Sequence, residues 1–325
     1  MEEMVMKEHV IGVDITRDMT SYAIIDNRGN IVAKDSIATS DYPNEVEFGN
    51  ALIERIREMI DANGGSEKIR SIGVCSPNGN QVTGCVESPV NLPWNTIPVV
   101  NIMRDFLALA VIVANNAACA ALGEKMYGAA RGLRDFILVN LDNGVGSCAY
   151  VNGNYMTGAG GFAGELGHVC IEENGRQCNC GRKGCLETYA SANGIVTTAR
   201  ELLENDTRES MMRHIDSLTL QAIIECCEQG DELAQEVFEK TGRLLGMSLA
   251  NYATLINPEA IIFTGSVVKA GRFLFEPTRQ SFEEHVYRCV TDRVRFVQSK
   301  MIDHERNLLA AGLLAWEVKE YSLFK

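Results

Sequence analysis

The chain has no apolar run long enough to cross a bilayer; its longest strongly apolar stretch, Phe106 to Ala114, is about half of what a spanning helix needs. It has no basic leader either. Met1 to Glu8 is acidic and lacks the positive start and apolar core of a signal peptide, so a soluble, cytosolic protein is expected. Basic residues are in deficit: 30 Lys plus Arg stand against 43 Asp plus Glu, a formal net charge of -13, which disfavours a nucleic-acid backbone as the main ligand. Low-complexity tracts are missing, and 46% hydrophobic with 22% charged residues is the composition of a folded globular chain. An even set of cysteines is missing too. With 11 of them in a long chain without a leader, a disulfide framework is disfavoured and reduced thiols or a metal site are expected.

At roughly 150 residues per domain, 325 residues suggest two domains. His9 to Asp14, Tyr22 to Asp26 and Ile31 to Ile37 read as a strand meander with a turn at Asn27 to Asn30. The plan recurs in Phe136 to Leu141, Gly146 to Val151 and a turn at Asn152 to Asn154. A duplicated α/β unit is the economical reading. Between the meanders, Phe48, Leu52, Ile56 and Ile60 form a helical stripe within 47–62, and Ile69 to Cys75 is a short apolar strand. A long helical pattern from Asp231 ends at Asn257-Pro258, and Ala260 to Thr264 follows as a buried strand. Two α/β lobes around a ligand-binding cleft are expected.

Three cysteines fall within eight residues, Cys178, Cys180 and Cys185. The other six singled out, Cys75, Cys85, Cys119, Cys148, Cys170 and Cys289, sit among apolar neighbours and read as core filler. With His168, the three clustered thiols supply the ligand set of a closed structural zinc site, and Gly181 and Gly184 permit the tight turns it needs. Four protein ligands leave no open position, so the ion would pin a loop rather than activate water. The alternative is a group of reduced surface thiols with His168 capping a helix.

The run Gly161-Phe-Ala-Gly-Glu165-Leu-Gly-His168, followed by Cys178-x-Cys180-Gly-x-x-Gly-Cys185-x-Glu187, resembles the signature of the ROK family of repressors, open reading frames and sugar kinases. The likeness extends through Pro89 to Trp94, Ala120 to Glu124 and Asn257 to Ile261, covering nearly the whole chain. It implies a two-lobed actin-like, hexokinase-like (ribonuclease H-like) α/β fold with a central cleft. Residues 1–114 would form the smaller lobe, with a C-terminal helix at about 308–325 packing back on it, and 115–307 the larger lobe with the zinc motif. The resemblance also implies a hexose site made of Asn91, Asn115, Asn116, Glu165, His168 and Glu187, with Mg2+ and ATP on the other side in members that are kinases. Asn, Glu and His match a pyranose, whose hydroxyls each donate and accept. His168 would hold zinc through one ring nitrogen and a sugar hydroxyl through the other. The plainer readings are a first-turn carboxylate for Glu187 and a turn residue for Asn91.

The phosphate side departs from the family. Its kinases use the Asp of an Asn-Asp pair as general base, and here the pair reads Asn115-Asn116. A carboxamide holds a hydroxyl but accepts no proton at neutral pH, which removes about 10²–10⁴ in rate. The family's Gly-Gly-Thr turn after Asp-Ile is replaced by Thr16-Arg17-Asp18 after Asp14-Ile15. Its Gly-Thr-Gly loop is Asp142-Asn143-Gly144, and its glycine triplet is Thr264-Gly265-Ser266. A degenerate nucleotide site of Asp14, Thr16, Gly144, Gly146 and Gly265 is therefore expected. Two added carboxylates, Asp18 and Asp142, oppose a polyphosphate unless a metal intervenes.

Three functions follow as expectations. The leading one is a hexose- or amino-sugar-binding protein with structural zinc and impaired phosphoryl transfer. The second is an active ATP-dependent, glucokinase-like hexokinase. The third is a sugar-responsive regulator without its own DNA-binding module, since eight residues precede His9. A homodimer or homotetramer is expected, with no membrane and no direct nucleic-acid partner.

Overall fold

Near-continuous apolar runs bury the central strands of each meander on both faces, and the structure, a computed structural model, describes residues 7–89, 92, 94–301 and 303–318. Strands β1 (His9–Ile15), β2 (Met19–Asp26) and β3 (Ile31–Ala38) form the first meander. Helix α1 (Glu45–Ala62) leads to β4 (Ile69–Ser76), a short hairpin of β5 (Gly79–Asn80) and β6 (Cys85–Val86), α2 (Val99–Leu107), β7 (Ala110–Asn115) and α3 (Asn116–Tyr127). The second meander is β8 (Phe136–Leu141), β9 (Val145–Val151) and β10 (Asn154–Tyr155). Then come α4 (Glu187–Ala190), α5 (Ala192–Asn205), α6 (Leu220–Glu228), α7 (Glu232–Ile256), β11 (Ala260–Thr264), α8 (Arg272–His285), β12 (Arg295–Gln298) and α9 (Asp303–Glu317).

The chain divides into two units. Unit 1 comprises 1–131, 157–163 and 300–325; unit 2 comprises 132–156 and 164–299. In unit 1 the sheet order is β3-β2-β1-β4-β7, with β1, β4 and β7 parallel and the first meander antiparallel. Helix α1 lays Phe48, Leu52, Ile56 and Ile60 against this sheet, and Asn44 caps its first turn by accepting from the Glu47 amide. Each such side chain contributes about 1.5–3 kcal/mol of burial. On the opposite face α9 lies close on β1 and β4. Gly12 and Gly73 are register partners there, and a Cβ on either would collide with a helix carbonyl, of Leu308 and Ala311 respectively. Helix α3 joins α9 on this sheet, where the Arg306 guanidinium faces the Glu124 carboxylate at 3.6 Å with both side chains buried. Residues 319–325 of the expected C-terminal helix lie outside the described residues.

Unit 2 repeats the plan with the order β10-β9-β8-β11-β12, again antiparallel through the meander and parallel through β8, β11 and β12. Its core packs α5, α7 and α8 on the sheet through residues such as Ile195, Val237, Leu249, Ile261 and Phe263. Helix α7 starts where Asp231 accepts from the amides of Leu233 and Ala234, and it stops at Asn257, whose φ of 53° is left-handed before Pro258. Cys75, Cys119 and Cys148 are core residues as expected. Cys85 is only half-buried, while Cys170 and Cys289 are exposed, so apolar neighbours in sequence did not place those three inside. Among the described residues no helix is long and apolar enough to cross a membrane.

Candidate sugar and metal site

In unit 1 the parallel strands β1, β4 and β7 end on one sheet edge, where ligands of α/β sheets usually sit. Asp14 occupies the penultimate position of β1 and is buried, with Oδ1 lacking a hydrogen-bond partner. Burial pushes its carboxyl up to about 6, against the opposing pull of the Cys75 thiol, Arg306 and Lys34. Thr16 is exposed in the turn beyond, its hydroxyl spent on the Met19 carbonyl. Asn115 ends β7 and caps α3, and both its Oδ1 and that of Asn116 accept from the Ala117 amide, at 2.8 and 2.9 Å. The carboxamide of Asn116 is thus turned onto the helix start. Asn91 lies outside the described residues.

In unit 2 the element Gly164 to His168 packs on β9. Ser147 donates its hydroxyl to the Gly164 carbonyl and accepts from the Leu166 amide, and Gly167 lies too close to the Val145 carbonyl to admit a side chain. Sequence reading missed Ser147, because nothing local distinguishes it from any strand serine. Glu165 and His168 come from this element. Burial raises the Glu165 carboxyl above its ordinary range, the Glu187 charge adds to that, and His168 opposes it. Glu187 opens α4 and accepts from the Val145 amide at 2.9 Å, which ties it to the turn carrying Gly144. One of its oxygens is therefore committed to the fold.

The metal-ligand set closes within the same unit. The donor atoms of His168, Cys178, Cys180 and Cys185 all lie within 4.8 Å of one another. Cys178 Sγ is 3.7 Å from His168 Nδ1, and Cys180 Sγ is 3.6 Å from Cys185 Sγ. A tetrahedral ion with arms of about 2.3 Å to sulfur has edges of about 3.8 Å, so the set fits zinc. The knuckle is shaped by Gly181 and Gly184, both with positive φ, and by a turn in which Cys178 accepts from the Gly181 amide. The thiols compete for charge. Cys180, though desolvation opposes it, is held down to about 6 by donors from Arg182 and the other two thiols, while burial and Cys180 push Cys185 up to about 12. A divalent cation relieves such competition by accepting all three thiolates.

The loops after β8 and β11 carry Gly144 and Gly265, Gly146 lies just inside β9, and two side-chain bonds join the two segments. Thr264 donates to Asn140 Oδ1 at 2.8 Å, and Ser266 donates to Asp142 Oδ1 at 2.5 Å. Beside them a cavity of about 510 Å³ is lined by Asn143, Ser266, Lys269, Arg200 and the apolar Val196 and Leu218, among others. Neither Arg200 nor Lys269 has a charged partner among the described residues, and neither was singled out from the sequence.

A sequence model of the ROK family matches residues 10–317. The chain is 33% identical over 320 residues to the glucokinase of Halalkalibacterium halodurans, covering 95% of this chain and 94% of that protein. It is 26% identical to the DNA-binding transcriptional dual regulator NagC of Escherichia coli K12, covering 94% of this chain and 75% of NagC. The structure superposes with a TM-score of 0.74 on a ROK family glucokinase from Streptomyces griseus solved with glucose and AMPPNP, at 26% identity, covering 95% of this chain and 100% of that one. The motif that suggested the likeness, the whole-chain sequence match and the shared α/β architecture agree: this chain belongs to the ROK family.

Proposed function

We propose that the protein binds a hexose or amino sugar and transfers phosphate to it poorly or not at all. The observation that carries this reading is Asn116. At the position where the resemblance puts a general base stands a carboxamide, and its oxygen is bonded to the Ala117 amide. A sugar hydroxyl held there keeps its proton. The resemblance gives unit 1 the sugar-binding candidates Asn115 and Asn116 and unit 2 the candidates Glu165, His168 and Glu187. The raised Glu165 carboxyl is at home in a site whose burial is completed by hydroxyls.

His168, Cys178, Cys180 and Cys185 would hold a zinc ion that supplies order rather than chemistry, because four protein ligands leave no open position. A metal held there would take one ring nitrogen of His168, Nδ1 being the one that lies 3.7 Å from Cys178 Sγ, and would leave the other as a hydrogen-bond donor to a hydroxyl. Glu187 follows Cys185 by two residues and is held by the Val145 amide. On the phosphate side, the unpartnered, buried Oδ1 of Asp14 suits the water shell of a magnesium ion accompanying a nucleotide.

A calorimetric screen of hexoses and N-acetylhexosamines, followed by coupled ADP release with Mg-ATP, tests the proposal. Saturable sugar binding with turnover at least about 10² below an ordinary kinase supports it; turnover of about 10 per second contradicts it. One observation favours the second reading, an ATP-dependent hexokinase: the cavity beside Ser266 is roomy and carries two unpaired cations, Arg200 and Lys269. The likeness to NagC favours a regulator, which a gel-shift assay on upstream DNA examines; the charge of -13 weighs against direct contact.

A further inference from the structure

We infer that Asp142 is a specificity-determining residue: its carboxylate, latched to Ser266, makes the cavity of unit 2 read the nucleoside part of a nucleotide while denying any gain from the phosphates. This rests on the reading of that cavity as the nucleotide side of a sugar kinase homologue.

The latch spans the carboxyl ends of two adjacent parallel strands, β8 and β11, the edge of an α/β sheet where a phosphate is ordinarily met by backbone amides and hydroxyls. A serine hydroxyl has one proton to donate. That of Ser266, which lines the cavity, is given to Asp142 Oδ1. The second stitch, Thr264 to Asn140, fixes the same two loops one step back. Gly265 between the stitches, at a φ of 94°, runs so close to the Leu141 carbonyl that no side chain fits. The two stitches hold these loops side by side. A ligand phosphate brought to Ser266 meets a fixed carboxylate where a hydrogen-bond donor is needed.

Asp142 stands behind Ser266 rather than in the lining, and the polar lining beside Ser266 is indifferent to phosphate charge or favours it. Asn143 and Asn193 are neutral, and Arg200 and Lys269 are cationic. The discrimination thus has its source in the carboxylate bonded to the lining residue Ser266, and removing it leaves a pocket suited to an anion.

Calorimetric titrations with adenosine and with Mg-AMP-PNP, on wild-type protein and on Asp142→Gly and Asp142→Asn, test this. In the wild type the two dissociation constants should agree within about threefold. Asp142→Gly should tighten Mg-AMP-PNP by about tenfold or more and leave adenosine unchanged. Asp142→Asn keeps the hydrogen bond to Ser266 while removing the charge, so it guards against a folding defect and should give a smaller gain of the same sign. The inference is overturned if wild-type protein already binds Mg-AMP-PNP about 100-fold tighter than adenosine, if neither variant changes the ratio, or if no protein binds either ligand at millimolar concentration. Sugar binding measured on the same samples separates the two claims. Its loss with the ratio still shifting sinks the proposed function alone, and its persistence with an unchanged ratio sinks the Asp142 assignment alone.

Discussion

Units 1 and 2 are built on one plan and finished differently. Each threads five strands in the same spatial order, three of them as an antiparallel meander, and polar residues stand at the carboxyl ends of the parallel strands in both, Asp14 and Asn115 in unit 1 and Asp142 and Ser266 in unit 2. The strands are interchangeable in role because burial dictates them. The loops are not. After β1 the turn at Thr16 is exposed and satisfied locally, by Thr16 and Met19. After β8 the equivalent turn is latched across to β11 through Asp142 and Ser266. Unit 1 is closed by a helix, α9, that brings a buried ion pair. Unit 2 is closed by a knuckle that brings a metal-ligand set. A duplicated scaffold thus acquires its chemistry from what its loops add, and each addition can be removed separately.

Removing the knuckle should have the largest effect. Cys185→Ser is expected to lower bound zinc from about one per chain to near zero and to destabilise unit 2 by several kcal/mol, with sugar binding lost. Metal analysis with calorimetric melting checks this; full zinc retention would mean that the four donors do not act together. The corresponding cut in unit 1 is Glu124→Ala, which takes away the carboxylate facing the buried Arg306 guanidinium. A loss of about 3–5 kcal/mol in urea unfolding is expected, and an Arg306→Met, Glu124→Leu double variant should recover most of it.

The first sheet edge should also titrate. The Asp14 carboxyl is raised to about 6, so its neutral form stabilises the fold below about pH 4, and that contribution is lost as pH climbs through 6. Asp14→Asn should therefore match wild type near pH 4 and exceed it by roughly 3 kcal/mol near pH 8. A flat difference across that window would show that burial does not hold the proton. The smallest effect expected is that of Asn116→Asp alone. Restoring a base while Asp142 still opposes phosphate should change ADP release less than about threefold, whereas adding Asp142→Gly should release much more of the 10²–10⁴ that a base supplies.

The regular parts of this comparison were legible in the sequence because they are local. The stripe of Phe48, Leu52, Ile56 and Ile60 reports its helix, and Asp231 with Asn257-Pro258 marks both ends of α7. The knuckle was legible because its spacing is short enough for three sulfurs to share one ion. What joins distant segments was not. Arg306 meets Glu124 across 182 residues of chain and Ser266 meets Asp142 across 124, and no periodicity encodes either pairing. Gly12 and Gly73 looked like ordinary strand residues until α9 was laid over them. Cys170 and Cys289 misled for a related reason: neighbours in sequence alternate between faces of the fold, so apolar company does not bury a thiol.

The central claim is that the sugar wall is competent while the phosphate wall is not. Its most direct measurement is a pair of titrations on one preparation of wild-type protein, a hexose or N-acetylhexosamine in the first and Mg-AMP-PNP in the second. Saturable sugar binding, with nucleotide held no tighter than adenosine, is the expected result. Micromolar Mg-AMP-PNP affinity that sharpens further once sugar is bound would contradict it.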